Sequence, residues 1–145
     1  MQWGHCSSSN MNRILRLQKR AARLILKVDI NTRASQMFHT LGWLPIHKRI
    51  IYHSCIMVYK TLNNQTPDYI TSLLQKCSNT HDRNLRSVSN DLLHVPRSRT
   101  TLLDRSFSVF GPQQWNKLPI SIRNSPSLNT FKSRLKVHLM ASLLT

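Results

Sequence analysis

Leu128, Phe131, Leu135 and Leu139 fall three or four residues apart, and a similar spacing returns earlier in the chain. Apolar residues at that interval share one face of an α-helix and do not suit a strand, whose side chains alternate. The first such stretch predicts a helix from near Asn10 to about Val28, with Met11, Ile14, Ala21, Ala22, Ile25 and Val28 on one face. Met37, Phe38 and Leu41 follow, in a helix that Asn31 and Thr32 can cap and Gly42 ends. Pro45 is placed as a first-turn proline. It opens a third helix through Ile46, Ile50, Met57 and Tyr59 to about Leu62. Ile51, Ile56 and Val58 make that helix apolar nearly all round, which predicts a central position. Asn63-Asn64 breaks it. Thr66 then caps a further helix, with Pro67 at its first position and an end near Lys76. The last helix spans about Ser127 to Leu143.

Between these elements the pattern weakens. Residues 1–9 are polar and predict a frayed terminus, and residues 78–91, rich in Ser, Asn, Asp and Arg, predict a surface loop. Leu92 to Val95 reads as a short extended segment stopped by Pro96. Thr100 to Phe110 fits either an extended stretch or a short helix. Pro112 can open a brief helix through Trp115 and Asn116, and Pro119 and Pro126 delimit a connector. With 145 residues, 40% of them apolar, and three Gly, the chain is about one domain long and has material for one modest core. The expected architecture is all-α or mainly α: about five helices in a small irregular bundle with one short extended segment, forming a single helical domain over residues 10–145.

Charge is the main anomaly. Lys and Arg total 21 against five acids, for a net charge of +16, and all five acids are Asp. A compact chain with that balance repels itself, and the commonest reason to carry it is a polyanionic partner such as RNA or DNA. An anionic membrane surface is the weaker option, and no apolar run approaches the roughly 18–20 residues that a membrane span requires. The charge also fits a piece of a larger protein whose acidic half lies elsewhere. Residues 1–10 lack the charged start and apolar stretch of a secretion signal. Cys6, Cys55 and Cys77 are odd in number and widely spaced. They imply no disulfide framework and fit a reducing compartment, nucleus or cytoplasm rather than secretion.

The sharpest physical feature is the first helix. Arg13, Arg16, Arg20, Arg23 and Lys27 recur at intervals of three, four, three and four, and no acid occurs before Asp29. At about 100° per residue they occupy roughly 80° of arc, opposite the expected apolar face. Ordinary solvated faces mix signs, because like charges one turn apart repel. A row of one sign predicts contact with phosphates, weighed against plain solvation. Lys48, Arg49, Lys132 and Lys136 are supporting candidates. Trp43, Tyr52, Tyr59, Tyr69, Phe107, Phe110, Trp115 and Phe131 could stack on bases. Most sit at helical spacing with aliphatics and are better read as core; Trp115, beside polar residues and near a proline, is the least clear.

Catalysis fails on inventory. A polymerase of the reverse-transcriptase type needs carboxylates converging on divalent metal ions. Here the Asp residues are scattered, and none stands in a Tyr-x-Asp-Asp turn. Ser106, His94 and Asp104 could be drawn as a triad, but no Gly-x-Ser-x-Gly elbow supports it. No Gly-rich phosphate loop is present, and the seven His form no zinc-ligand spacing with a Cys pair. No catalytic residue, metal or cofactor is expected.

A series of blocks in order carries a resemblance. They are Leu15-x-x-Gln-x-Arg-Ala-Ala-Arg-Leu-Ile, Leu41-Gly-Trp-Leu-Pro-Ile-x-x-Arg, Val58-Tyr-Lys-x-Leu-Asn with Pro67-x-Tyr-Ile, and Val95-Pro-Arg-x-Arg-Thr. Ser106-Phe-Ser-Val-x-Gly-Pro-x-x-Trp-Asn-x-Leu-Pro and Ser127-Leu-x-x-Phe-Lys-x-x-Leu-Lys-x-His-Leu close the series. Together, from about residue 12 to 140, they resemble the region that follows the reverse-transcriptase domain in jockey-like and chicken-repeat-like non-LTR retrotransposon proteins. Phe110 and Gln114 depart from what that pattern would place there. The resemblance implies a parent protein that nicks target DNA and copies its RNA there, with the endonuclease and polymerase domains upstream. None of the family's catalytic aspartates has a counterpart here. The expected function is a non-catalytic accessory domain that positions template RNA or target DNA. The rivals are a docking module that packs on the parent reverse-transcriptase domain and a decayed remnant without function.

Overall fold

A computed structural model describes residues 7–77 and 92–143; the expected loop at 78–91 and most of the expected frayed start lie outside them. The described residues form eight helices: α1 (Ser8–Leu26), α2 (Ala34–Thr40), α3 (Ile46–Leu62), α4 (Asp68–Thr71), α5 (Thr101–Asp104), α6 (Phe107–Asn116), α7 (Ile120–Arg123) and α8 (Leu128–Ala141). The mainly helical class is as expected. The count is not, because α4, α5 and α7 are single turns of four residues each in stretches where prolines and polar residues hide any period. Contacts divide the chain into two compact units, Met1–Tyr52 with Ser133–Thr145, and His53–Lys132.

In the first unit α1 starts at Ser8, two residues earlier than the apolar period indicates, because Ser7 caps it: its Oγ accepts from the Asn10 N–H at 3.5 Å. Its buried face also differs from the expected one. Ala22 is fully buried against Met37 and Phe38, with Leu15, Leu26, Val28, Leu41 and Trp43 packed around them. Ile14 and Ile25, assigned to the core face by spacing, are exposed. Helix period locates apolar stripes but cannot choose between two of them; the partner α2 makes that choice.

Gln18 ties α1 to the start of α3. Its Nε2 donates to the Leu44 carbonyl at 2.9 Å, and its Oε1 accepts from the Ile46 N–H at 3.0 Å. The second of these satisfies one of the donors that a helix start leaves unpaired. Neither Asn31 nor Thr32 caps α2, whose N-cap is Arg33 without a side-chain bond. Asp29 uses the segment for a turn instead, its Oδ1 accepting from the Asn31 N–H at 2.8 Å and its carbonyl from the Thr32 N–H at 3.1 Å. Gly42 ends α2 as expected. With φ at +62° it lets Trp43 N–H reach the Phe38 carbonyl at 2.8 Å and its own N–H reach His39 at 3.0 Å. Trp43 itself is half-buried on the Ala22 cluster rather than sealed in it.

In the second unit α3 supplies Cys55, Val58 and Tyr59 to a core completed by Val109, Trp115, Leu118, Ile122 and Phe131. Tyr59 and Phe131 stack with ring centroids 4.5 Å apart, and Trp115 lies tilted against Phe131 at 5.7 Å. The Tyr59 hydroxyl donates to the Ser125 carbonyl at 2.9 Å. Asn64, at φ +55°, closes α3 in the same left-handed manner as Gly42 closes α2.

Three expectations are corrected here. Thr66 is not a cap: α4 is capped by Pro67 without a side-chain bond and ends at Thr71, not near Lys76. Pro112 does not open a helix but lies inside α6, which begins at Phe107. The connector between Pro119 and Pro126 contains α7.

No strand forms among the described residues near Leu92–Val95; there is a single antiparallel bridge between Lys76 and Leu93. The other side of Leu93 is paired by a side chain. Leu93 N–H donates to Asn116 Oδ1 at 2.9 Å, and Asn116 Nδ2 donates to the Leu93 carbonyl at 2.8 Å. The amide of Asn116 thus takes the place of a neighbouring strand.

Candidate nucleic-acid interface

α1 presents its cations from a scaffold of 19 residues, long enough to span several phosphates. Arg13, Arg16, Arg20 and Lys27 are exposed, and together they run about 21 Å along the helix axis at about 1.5 Å per residue. Lys27 sits just past the last turn with φ at +51°, a left-handed conformation uncommon for a non-Gly residue. Its N–H donates to the Arg23 carbonyl, so it closes the helix while remaining on the row. Cations at this end also suit the negative pole of the helix dipole.

Arg23 departs from the others. It lies at the edge of the arc nearest the packed seam and is half-buried, and its Nε is buried without a hydrogen-bond partner. Long basic side chains often lay their stems along apolar surface, a habit that a half-buried Arg23 fits. The freely presented row is therefore four residues rather than five.

The supporting cations do not simply lengthen this row. Lys48 and Arg49 belong to the first turn of α3, which Gln18 clamps to α1. Gln18 lies about 180° around α1 from the centre of the cation row. Lys48 is half-buried and donates from Nζ to Ser142 Oγ at 2.9 Å; Arg49 is exposed. Lys136 is exposed on α8 within the same unit, whereas Lys132 is half-buried and belongs to the other unit.

Of the aromatics expected in the core, Trp43, Tyr52, Phe107 and Phe110 are only half-buried. Tyr59, Trp115 and Phe131 are buried, and the placement of Trp115, the least clear from its neighbours, is resolved toward core. Tyr69 is exposed, at 72%, on α4. In the Ser106, His94 and Asp104 set, Ser106 Oγ donates to the Leu103 carbonyl at 2.7 Å, and the Asp104 carboxylate accepts from Ser98. Among the described residues no group of three His, Cys, Asp or Glu side chains could hold a metal ion. No helix among them is long and apolar enough to cross a membrane.

One surface feature escaped the reading of the sequence. Leu17 and Leu24 are exposed beside the cation row, on the same side as Ile14 and Ile25. The signal was present, since apolar residues cover more than half of the circumference of α1, more than one packed seam can bury. Comparison with family models, with curated proteins and with solved structures returns no match.

Proposed function

We propose that this chain is a non-catalytic module that binds the phosphate backbone of RNA or DNA through α1. The observation that carries the reading is the exposed row Arg13, Arg16, Arg20 and Lys27 on one arc of a helix that contains no acid. Such a row neutralises phosphates and releases their counterions, so it binds without reading bases. The net charge of +16 favours encounter with any polyanion and steers its approach. Under this reading the chain belongs to the C-terminal side of a non-LTR retrotransposon protein, where it holds template RNA or target DNA for a polymerase carried on the same parent chain. The motif blocks support that origin.

A salt titration tests the binding. Four cations engaged on duplex DNA give a slope of log affinity against log salt of about −3.6 from this helix, and about −2.8 on single strands. Changing Arg13, Arg16 and Arg20 together to Gln preserves helix propensity and alters only exposed positions. The slope on duplex should become shallower by about 2.7, with affinity falling about equally for all sequences. An unchanged slope, with circular dichroism confirming the fold, refutes the reading.

A further inference from the structure

α1 carries a third surface, used neither by the packed seam nor by the cation row. Ile14, Leu17, Ala21, Leu24 and Ile25 fall within about 100° of arc and extend about 16 Å along the axis. Leu24 is 79% exposed, Leu17 62%, Ile25 56% and Ile14 39%. A contiguous apolar ridge left to water beside a packed seam marks an interaction surface.

We infer that this ridge docks an amphipathic partner helix whose own apolar stripe is bordered by Asp or Glu along one edge. Spacing of three, four, three and one is that of a helix–helix seam. Charge selects the partner. Arg13 and Arg20 stand within about 40° of Leu24 around the helix, on one border of the ridge only, so the facing edge of the partner must be acidic. A second copy of this chain would set the same cation row and another +16 against the first. A lipid surface fits less well. A helix lying on one keeps its polar face in water opposite the apolar face. In α1 the second border of the ridge is instead the seam of Leu15, Ala22 and Leu26, already packed in the core. The inference is independent of nucleic-acid binding, although Arg13 and Arg20 would serve both partners.

The probe is a fluorescent peptide of about five helical turns with a leucine stripe and glutamates along one edge. Its controls are the same peptide with lysine for glutamate, and phosphatidylserine vesicles. By anisotropy with the full chain, the glutamate peptide should bind at least about tenfold tighter than the lysine peptide. Leu17→Gln with Leu24→Gln, a change at exposed positions without change of charge, should weaken it at least about tenfold. The same pair should leave affinity for duplex DNA within about twofold, since phosphates are bound by the cations. The docking site is therefore judged separately from the nucleic-acid site. Equal binding of both peptides, or parental peptide binding by the folded Leu17→Gln, Leu24→Gln variant, overturns the proposal. So does failure to bind either peptide: vesicle binding abolished by that variant then assigns the ridge to a lipid surface, and a dimer dissolved by it assigns the ridge to a second copy.

Discussion

Asn116 shows how one side chain can replace an element. Leu93 is 1% exposed, so its backbone N–H and carbonyl have little access to water, and the Asn116 amide answers both. Removing one partner from a buried hydrogen bond costs about 1–3 kcal/mol for each group left unsatisfied. Asn116→Ala should therefore destabilise the fold by about 2–6 kcal/mol in urea denaturation, whereas a loss below the lower figure would mean that water substitutes for the amide. Cys55 gives a second residue-level expectation. It is fully buried on α3, and burial pushes its thiol up to about 12 from an ordinary 9.0. The reactive species is the thiolate, so at pH 8 Cys55 should stay unmodified in the folded protein. With Cys6 and Cys77 replaced by Ser, its labelling by a disulfide reagent should track unfolding, being rapid in denaturant and slow without it.

At the scale of elements, close approach of helices within the second unit depends on Gly111. A Cβ built there would lie 3.1 Å from the Phe107 ring and 3.1 Å from Val58 Cγ2, so α6 rests on α3 where it has no side chain. Gly in a helix is otherwise unfavourable relative to Ala, by roughly 0.5–1 kcal/mol. The sign depends on whether Phe107 and Val58 can give by a few tenths of an ångström, and Val58, fully buried, has little room to do so. Gly111→Ala should destabilise by about 1–2 kcal/mol net, taking overpacking at 1–3 kcal/mol, and thermal melting measures it. Gly42 differs in kind: an added Cβ there meets nothing within 4 Å, and only its positive φ requires glycine. In α1 the corresponding lesson concerns faces. One helix offers a packed seam, a cation row and an exposed apolar ridge, and the salt titration and the peptide assay address the last two separately.

At the scale of the whole molecule, net charge is the property that most constrains the partner. A chain at +16 with five acids favours a polyanionic partner, and the proposed function gives it no polymerase chemistry of its own. Purified protein supplied with primer, template, nucleotides and magnesium or manganese should give no extension above a protein-free control. Reproducible extension abolished by chelator would reverse that assignment.

The helical class, the long helices α1, α3 and α8 and the cation row were legible in the amino-acid sequence, because a period of 3.6 and a run of one charge are local properties. Phe131, Leu135 and Leu139 are buried as their spacing indicates. What local pattern could not settle depended on partners. Packing against α2 made Ala22, rather than Ile14 or Ile25, the buried residue of α1, and Arg23 is half-buried where the rest of the row is exposed. Pro112 was absorbed into α6, and three single-turn helices formed where no period exists, each too short to leave a repeat of its own. Residue type and spacing determined which surfaces α1 could offer; only tertiary contact decided which of them it buried, because two apolar stripes on one helix look alike until one meets a neighbour.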